Sequence, residues 1–137
     1  MVSHEIPIRV RYADTDQMGV VYHSRYFEWF EWGRAELMRK LGIPYKTLEE
    51  QGVFLPVIEA YCRYRLPARY DDELKVKVMI RECPQAKLKV EYLILKDGGL
   101  VGEGYTVHAF LNRQGSPRRP PKNFVTILKK ALANARV

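Results

Sequence analysis

Between Asp14 and His23 the chain sets two carboxylates, a glycine and a histidine just ahead of an aromatic-rich segment: Asp14-Thr15-Asp16-Gln17-Met18-Gly19-Val20-Val21-Tyr22-His23. A carboxylate in a glycine loop beside a helix start has a defined chemistry. The first N–H groups of a helix lack intrahelical acceptors and carry about half a unit of positive charge. They can hold a carbonyl whose oxygen becomes negative while the carboxylate attacks the carbon or activates water. This is acyl transfer without serine or cysteine, for the chain has no G-x-S-x-G elbow and neither Cys62 nor Cys83 has a nucleophile's local context. The aspartates equally fit an Asx-turn pair bonding nearby backbone amides. His23 fits either a general base or a structural hydrogen-bonding residue, and its backbone N–H is the better carbonyl-polarising donor. His4 and His108 lie far apart and match no metal-ligand spacing, so neither a metal nor another cofactor is expected.

The elements that must position this loop follow from periodicity. Ile6 to Tyr12 alternates apolar and basic residues and predicts a half-buried strand. Ser24 is the candidate N-cap of a helix running to about Leu41, without a capping box because Phe27 stands where Glu or Gln is wanted. Tyr26, Phe30, Gly33, Leu37 and Leu41 build one buried stripe, widened by Phe27, Trp29 and Met38. Gly33 in mid-helix implies close approach of another backbone, so the helix should be embraced by a sheet. Gly42-Ile43-Pro44 stops it, and Tyr45 to Gln51 can form a short second helix. Val57–Leu66, Leu74–Arg81, Lys87–Lys96 and Leu100–Asn112 read as strands, with Ile58, Ala60, Cys62, Tyr64 and Leu66 sharing a face of the first. Asp97-Gly98-Gly99 marks a hairpin, and Phe124 to Ala135 a short terminal helix. Strand, long helix and antiparallel meander define an α+β domain spanning residues 1–137, one helix against a curled sheet.

Composition narrows the class. The 137 residues can bury a core without disulfides, and no apolar run reaches the roughly 18 residues of a membrane span. The N-terminus lacks a basic patch followed by an apolar block, and the two cysteines, each alone within an apparent strand, read as small buried apolar groups. Both point to the cytoplasm. The net charge of +7 is uneven: acids and bases balance through Glu103. The excess resides in Arg113, Arg118, Arg119, Lys122, Lys129, Lys130 and Arg136. Such a tail either attracts phosphates or simply stays solvated.

The run from Tyr12 through Asp16, Gly19 and His23 to Tyr26-Phe27 resembles the signature of hotdog-fold acyl-CoA thioesterases, of the 4-hydroxybenzoyl-CoA thioesterase type and the related Tol-Pal-associated bacterial type. Pro67-Ala68-Arg69-Tyr70-Asp71-Asp72-Glu73-Leu74 resembles the turn and strand that these proteins carry after their second strand. The resemblance implies an antiparallel sheet wrapped around the long helix, and homodimers usually paired into tetramers with active sites at the dimer interface. It makes Asp16 the catalytic carboxylate, as nucleophile or general base, and the His23 amide the donor to the thioester oxygen. Val20, Val21, Tyr22 and Tyr26 would line the acyl pocket, and Asp14 would fix the loop. Acyl-CoA is the implied substrate. Arg118 and Arg119, after the last strand, are candidates to grip its phosphates because the arginine fork takes phosphate oxygens in pairs. Cys83-Pro84-Gln85-Ala86 stands where related proteins carry charged residues, so no nucleotide contact is transferred there. Two rival readings remain at this level. One is a non-hydrolytic hotdog acyl-binding or hydratase-like protein, although the paired histidine and acid of hydratases is not found. The other is a nucleic-acid-binding domain using the basic tail, which lacks the aromatic interleaving of single-strand binders.

Overall fold

Period-two alternation decides which side is buried along Lys87–Lys96 and most of Glu73–Ile80. In Glu73–Ile80, Leu74, Val76 and Val78 are wholly buried, while Glu73 and Lys75 face solvent. The computed structural model describes residues 1–135; Arg136 of the basic tail lies outside the described residues. Strands β1 (Val2–Arg9), β2 (Val57–Tyr64), β3 (Glu73–Ile80), β4 (Lys87–Lys96) and β5 (Gly99–Ala109) form one antiparallel sheet in the order β1-β3-β4-β5-β2. Helix α1 (Ser24–Lys40) packs across β1 and β3, joined by the short α2 (Tyr45–Glu50). Helix α3 (Lys122–Asn134) buries Phe124, Leu128 and Leu132. This is the α+β hotdog arrangement of one long helix held in a curled sheet.

The helix stripe forms as its spacing implies. Tyr26, Phe30, Gly33 and Leu37 are buried, Leu41 partly so, and Phe30 stacks on Tyr92 of β4 at 4.2 Å between ring centroids. The approach at Gly33 is to side chains instead of backbone: a Cβ there would stand 3.2 Å from Val76 Cγ1. Most element boundaries differ from the sequence expectations by one to four residues, and those around the loop have a visible cause. The first strand is Val2–Arg9, because it pairs along the whole of β3 from Val2↔Ile80 to Arg9↔Glu73. Tyr12 then belongs to a 3-10 turn, since the Asp14 carboxylate accepts the Arg11 N–H and bends the chain. Ser24 is the first helical residue, and His23 occupies the cap position with no side-chain bond. Cys83 lies in the turn after β3 and is half-buried, like Cys62.

Strand β2 is a sheet edge. It pairs with β5 on one side, and Ile58, Tyr61 and Tyr64 remain exposed. Inside, Arg34 of α1 is buried, pairs with no carboxylate among the described residues, and donates to the hydroxyls of Tyr45 and Tyr92. Tyr92 bonds Thr106 at 2.7 Å, Thr106 meets His108 Nε2 at 2.8 Å, and His108 Nδ1 donates to the Leu55 carbonyl at 3.1 Å. Burial, aided by the Arg34 charge, lowers the His108 pKa to about 4. The unfolded chain therefore takes up this proton first, near pH 6.5, and the stability that neutral His108 confers declines as pH falls from there towards about 4. The loss amounts to roughly 3 kcal/mol for a shift of this size. Urea unfolding of wild type near pH 7 and near pH 4.5 should register most of it, and His108→Gln should reduce the difference between the two conditions. An unchanged difference in the variant would exclude His108 as its source.

Candidate active site

The opening loop is built around Asp14. Only 1% exposed, its carboxylate accepts the Arg11 backbone N–H at 2.9 Å and the Arg11 guanidinium at 2.9 Å, with Arg25 Nε of α1 at 3.7 Å. Burial opposes its ionisation, but Arg11 and Arg25 outweigh that and hold it below the ordinary carboxylate range. Its carbonyl also accepts the Tyr22 N–H at 2.8 Å, so the loop is tied to the helix entrance at two points. Asp14 is thus the loop-fixing aspartate.

Asp16, two residues on, is exposed. Its Oδ1 accepts the Met18 N–H at 2.8 Å in an Asx-turn, and its carbonyl accepts the Gly19 N–H at 3.0 Å. Its Oδ2 has no hydrogen-bond donor among the described residues. Gly19 closes this turn at φ +76°, where a side chain is strained, and the Asp16 N–H returns to the Val20 carbonyl at 3.0 Å. The two aspartates therefore differ: Asp14 is wholly engaged within the structure, whereas Asp16 makes one turn bond and keeps one oxygen free.

Asp16 opens onto a groove of about 370 Å³ lined by Val20, Val21, His23, Tyr26, Tyr64, Arg65, Leu66 and Pro67. At its helix end, Arg25 N–H turns back to the Tyr22 carbonyl at 3.0 Å, while the His23 and Ser24 N–H groups meet no acceptor among the described residues. Asp16, with its free carboxylate oxygen, and His23, whose backbone N–H is free at the helix N-terminus, thus share one groove of mixed polar and apolar lining, an arrangement able to polarise a carbonyl and attack it.

Of the residues singled out in the sequence, Asp16, His23, Val20, Val21 and Tyr26 converge here. Tyr22 does not line the groove; it is exposed, with its ring 4.3 Å from that of His23. Arg118 and Arg119 are exposed and outside the groove lining, the Arg118 Nε donating to the Arg119 carbonyl at 2.9 Å. Arg113 is engaged at the end of α2, on the Glu49 and Glu50 carbonyls. The groove adds Tyr64, Arg65, Leu66 and Pro67, which sequence reasoning did not place beside Asp16. The available signal was Tyr64 and Leu66 sharing a strand face just before the second motif. Tyr64 reaches the helix start, its hydroxyl donating to the His23 carbonyl at 3.0 Å and its ring meeting Tyr26 edge-on at 4.8 Å.

Residues 10–131 match the thioesterase-like superfamily, and the chain belongs to it. It is similar to the acyl-CoA thioesterase YbgC of Haemophilus influenzae, with 38% identity over 92 residues that cover 66% of this chain and 68% of that protein. Among solved structures, a protein of Thermus thermophilus is 34% identical, with a TM-score of 0.88 over 94% of this chain and 97% of that one. The DHNA-CoA thioesterase of Staphylococcus aureus is 29% identical, with a TM-score of 0.88 over 99% of this chain and 92% of its own.

Proposed function

We propose that this thioester hydrolase acts on acyl-CoA, with Asp16 as its catalytic carboxylate. The observation carrying the reading is that Asp16 and His23, the residue at the start of α1 whose backbone N–H is free, line one groove. The thioester carbonyl lies against the helix N-terminus, and the His23 N–H holds its oxygen as charge develops there. Asp16 acts in one of two ways. As nucleophile, its oxygen adds to the carbonyl carbon, the C–S bond breaks, and water then hydrolyses the resulting anhydride. As general base, it takes a proton from water as hydroxide adds, and the departing thiolate receives that proton. Val20, Val21 and Tyr26 contact the acyl group, with Tyr22 at the rim beside His23.

Arg118 and Arg119 hold the phosphates of coenzyme A at the mouth of a site completed by a second subunit. Support for an assembly comes from the free edge of β2, where Ile58 is 50% and Leu66, just beyond, 55% exposed; pairing between copies removes such an edge. The working unit is a homotetramer made of two dimers. It acts in the cytoplasm, and among the described residues no helix is long and apolar enough to cross a membrane. No cofactor or nucleic acid takes part.

Asp16→Asn should lower acyl-CoA hydrolysis at least about a hundredfold while the protein stays folded. Asp14→Asn should affect turnover less but destabilise the fold by roughly 2 kcal/mol, because the buried carboxylate loses its charge-assisted interactions with Arg11 and Arg25. Near-normal turnover by folded Asp16→Asn would refute the mechanism. Arg118 and Arg119 replaced together by alanine should raise KM for acyl-CoA several-fold, more at low salt, with little change for a truncated thioester lacking the nucleotide. Equal effects on the two substrates, or none, would remove the tail from the phosphate site. Light scattering at micromolar concentration should give a mass near four chains, and a fully active monomer of 16.0 kDa would exclude the assembly.

A further inference from the structure

Tyr64 closes β2, forty-one residues from His23, yet its hydroxyl lies 3.0 Å from the His23 carbonyl oxygen. That oxygen belongs to the peptide unit whose other end is the Ser24 N–H. A donor on the oxygen of a peptide fixes its plane and strengthens its own N–H as a donor, because hydrogen bonds in a chain polarise one another. The Ser24 N–H is free among the described residues, and the first N–H groups of a helix point out of its N-terminal end. That end begins at His23, which lines the same groove as Asp16. The Tyr64 ring is held edge-on by Tyr26, itself 3% exposed, so the hydroxyl is aimed by packing from the helix it serves.

We propose that Tyr64 is a positioning residue for hydrolysis at Asp16: it fixes and polarises the His23–Ser24 peptide, making the Ser24 N–H a second donor to the oxyanion beside that of His23. The role rests on the thioesterase reading above. It also explains how an end with no side-chain cap keeps its amides aligned without having them consumed. A Ser or Asp cap would occupy these N–H groups. Tyr64 instead braces the turn through a carbonyl and leaves the donors open. Burial, with Cys62 and Tyr26 nearby, raises the Tyr64 pKa to about 12, so the hydroxyl keeps its proton throughout the working range.

Tyr64→Phe removes the hydroxyl and keeps the ring. Expected are a fall in kcat of about five- to tenfold, the scale of one neutral hydrogen bond, and a KM for acyl-CoA within about twofold of wild type. The ratio of wild-type to variant kcat should stay level from about pH 6 to about pH 9, since the hydroxyl does not titrate there. Independently of activity, the Ser24 amide resonance of the free protein should move upfield in the variant as its peptide loses the bond at oxygen. Unchanged kcat, a raised KM with kcat retained, or an unmoved Ser24 resonance overturns the proposal. A wild-type protein inactive on all acyl-CoA thioesters overturns the thioesterase reading and this proposal with it, whereas an active wild type matched by Tyr64→Phe overturns this proposal alone.

Discussion

A carboxylate that is almost wholly buried in a short loop is destabilising by several kcal/mol unless cations and donors surround it. Asp14 meets that requirement with Arg11, two residues beyond the first strand, and Arg25 from the first turn of α1. The same requirement helps join three pieces of chain. The segment after the strand, the loop and the helix start are held at fixed distances because all three contribute to neutralising one charge. Asp16 needs no strain or special environment of its own; it is presented by a neighbour whose ionisation depends on that geometry.

The other face of the groove comes from afar in sequence. Strand β2 joins the sheet by pairing with β5, and the last residues of that ladder, Tyr64 opposite Gly102, deliver Tyr64 to the helix start. Leu66 and Pro67 continue the wall, and the Val21 N–H donates to the Ala68 carbonyl at 2.8 Å, fastening the loop to the segment after β2. Deeper in, the chain of hydroxyls from Arg34 to His108 ties α1 and α2 to β4, β5 and the approach to β2. Its cation has hydroxyl partners and, among the described residues, no carboxylate, so the arrangement depends on every hydrogen bond being made.

What could be read in advance was what is local. The loop from Asp14 to His23 carries its chemistry in consecutive residues, the α1 stripe follows helical period, and the hairpin at Asp97-Gly98 needs left-handed backbone at both residues, φ +50° and +80°. Tyr64 stayed hidden because strand pairing, and not proximity in sequence, brings it to His23. The start of β1 at Val2 was missed because Val2-Ser3-His4-Glu5 has weak alternation, and pairing with β3 extends it regardless. Ser24 has the residue type of a cap, yet the backbone at His23 is already helical, at φ −56° and ψ −33°. The two aspartates differ by burial, which residue type does not disclose.

The central claim is that a thioester carbonyl lies between the His23 amide and the free oxygen of Asp16. A crystal structure with a non-hydrolysable acyl-CoA ketone, in which methylene replaces the thioester sulfur, tests this most directly. The carbonyl oxygen should lie about 3 Å from the His23 backbone nitrogen, with the carbonyl carbon facing Asp16 Oδ2. A carbonyl bound away from the start of α1, with Asp16 left in solvent, would contradict the account.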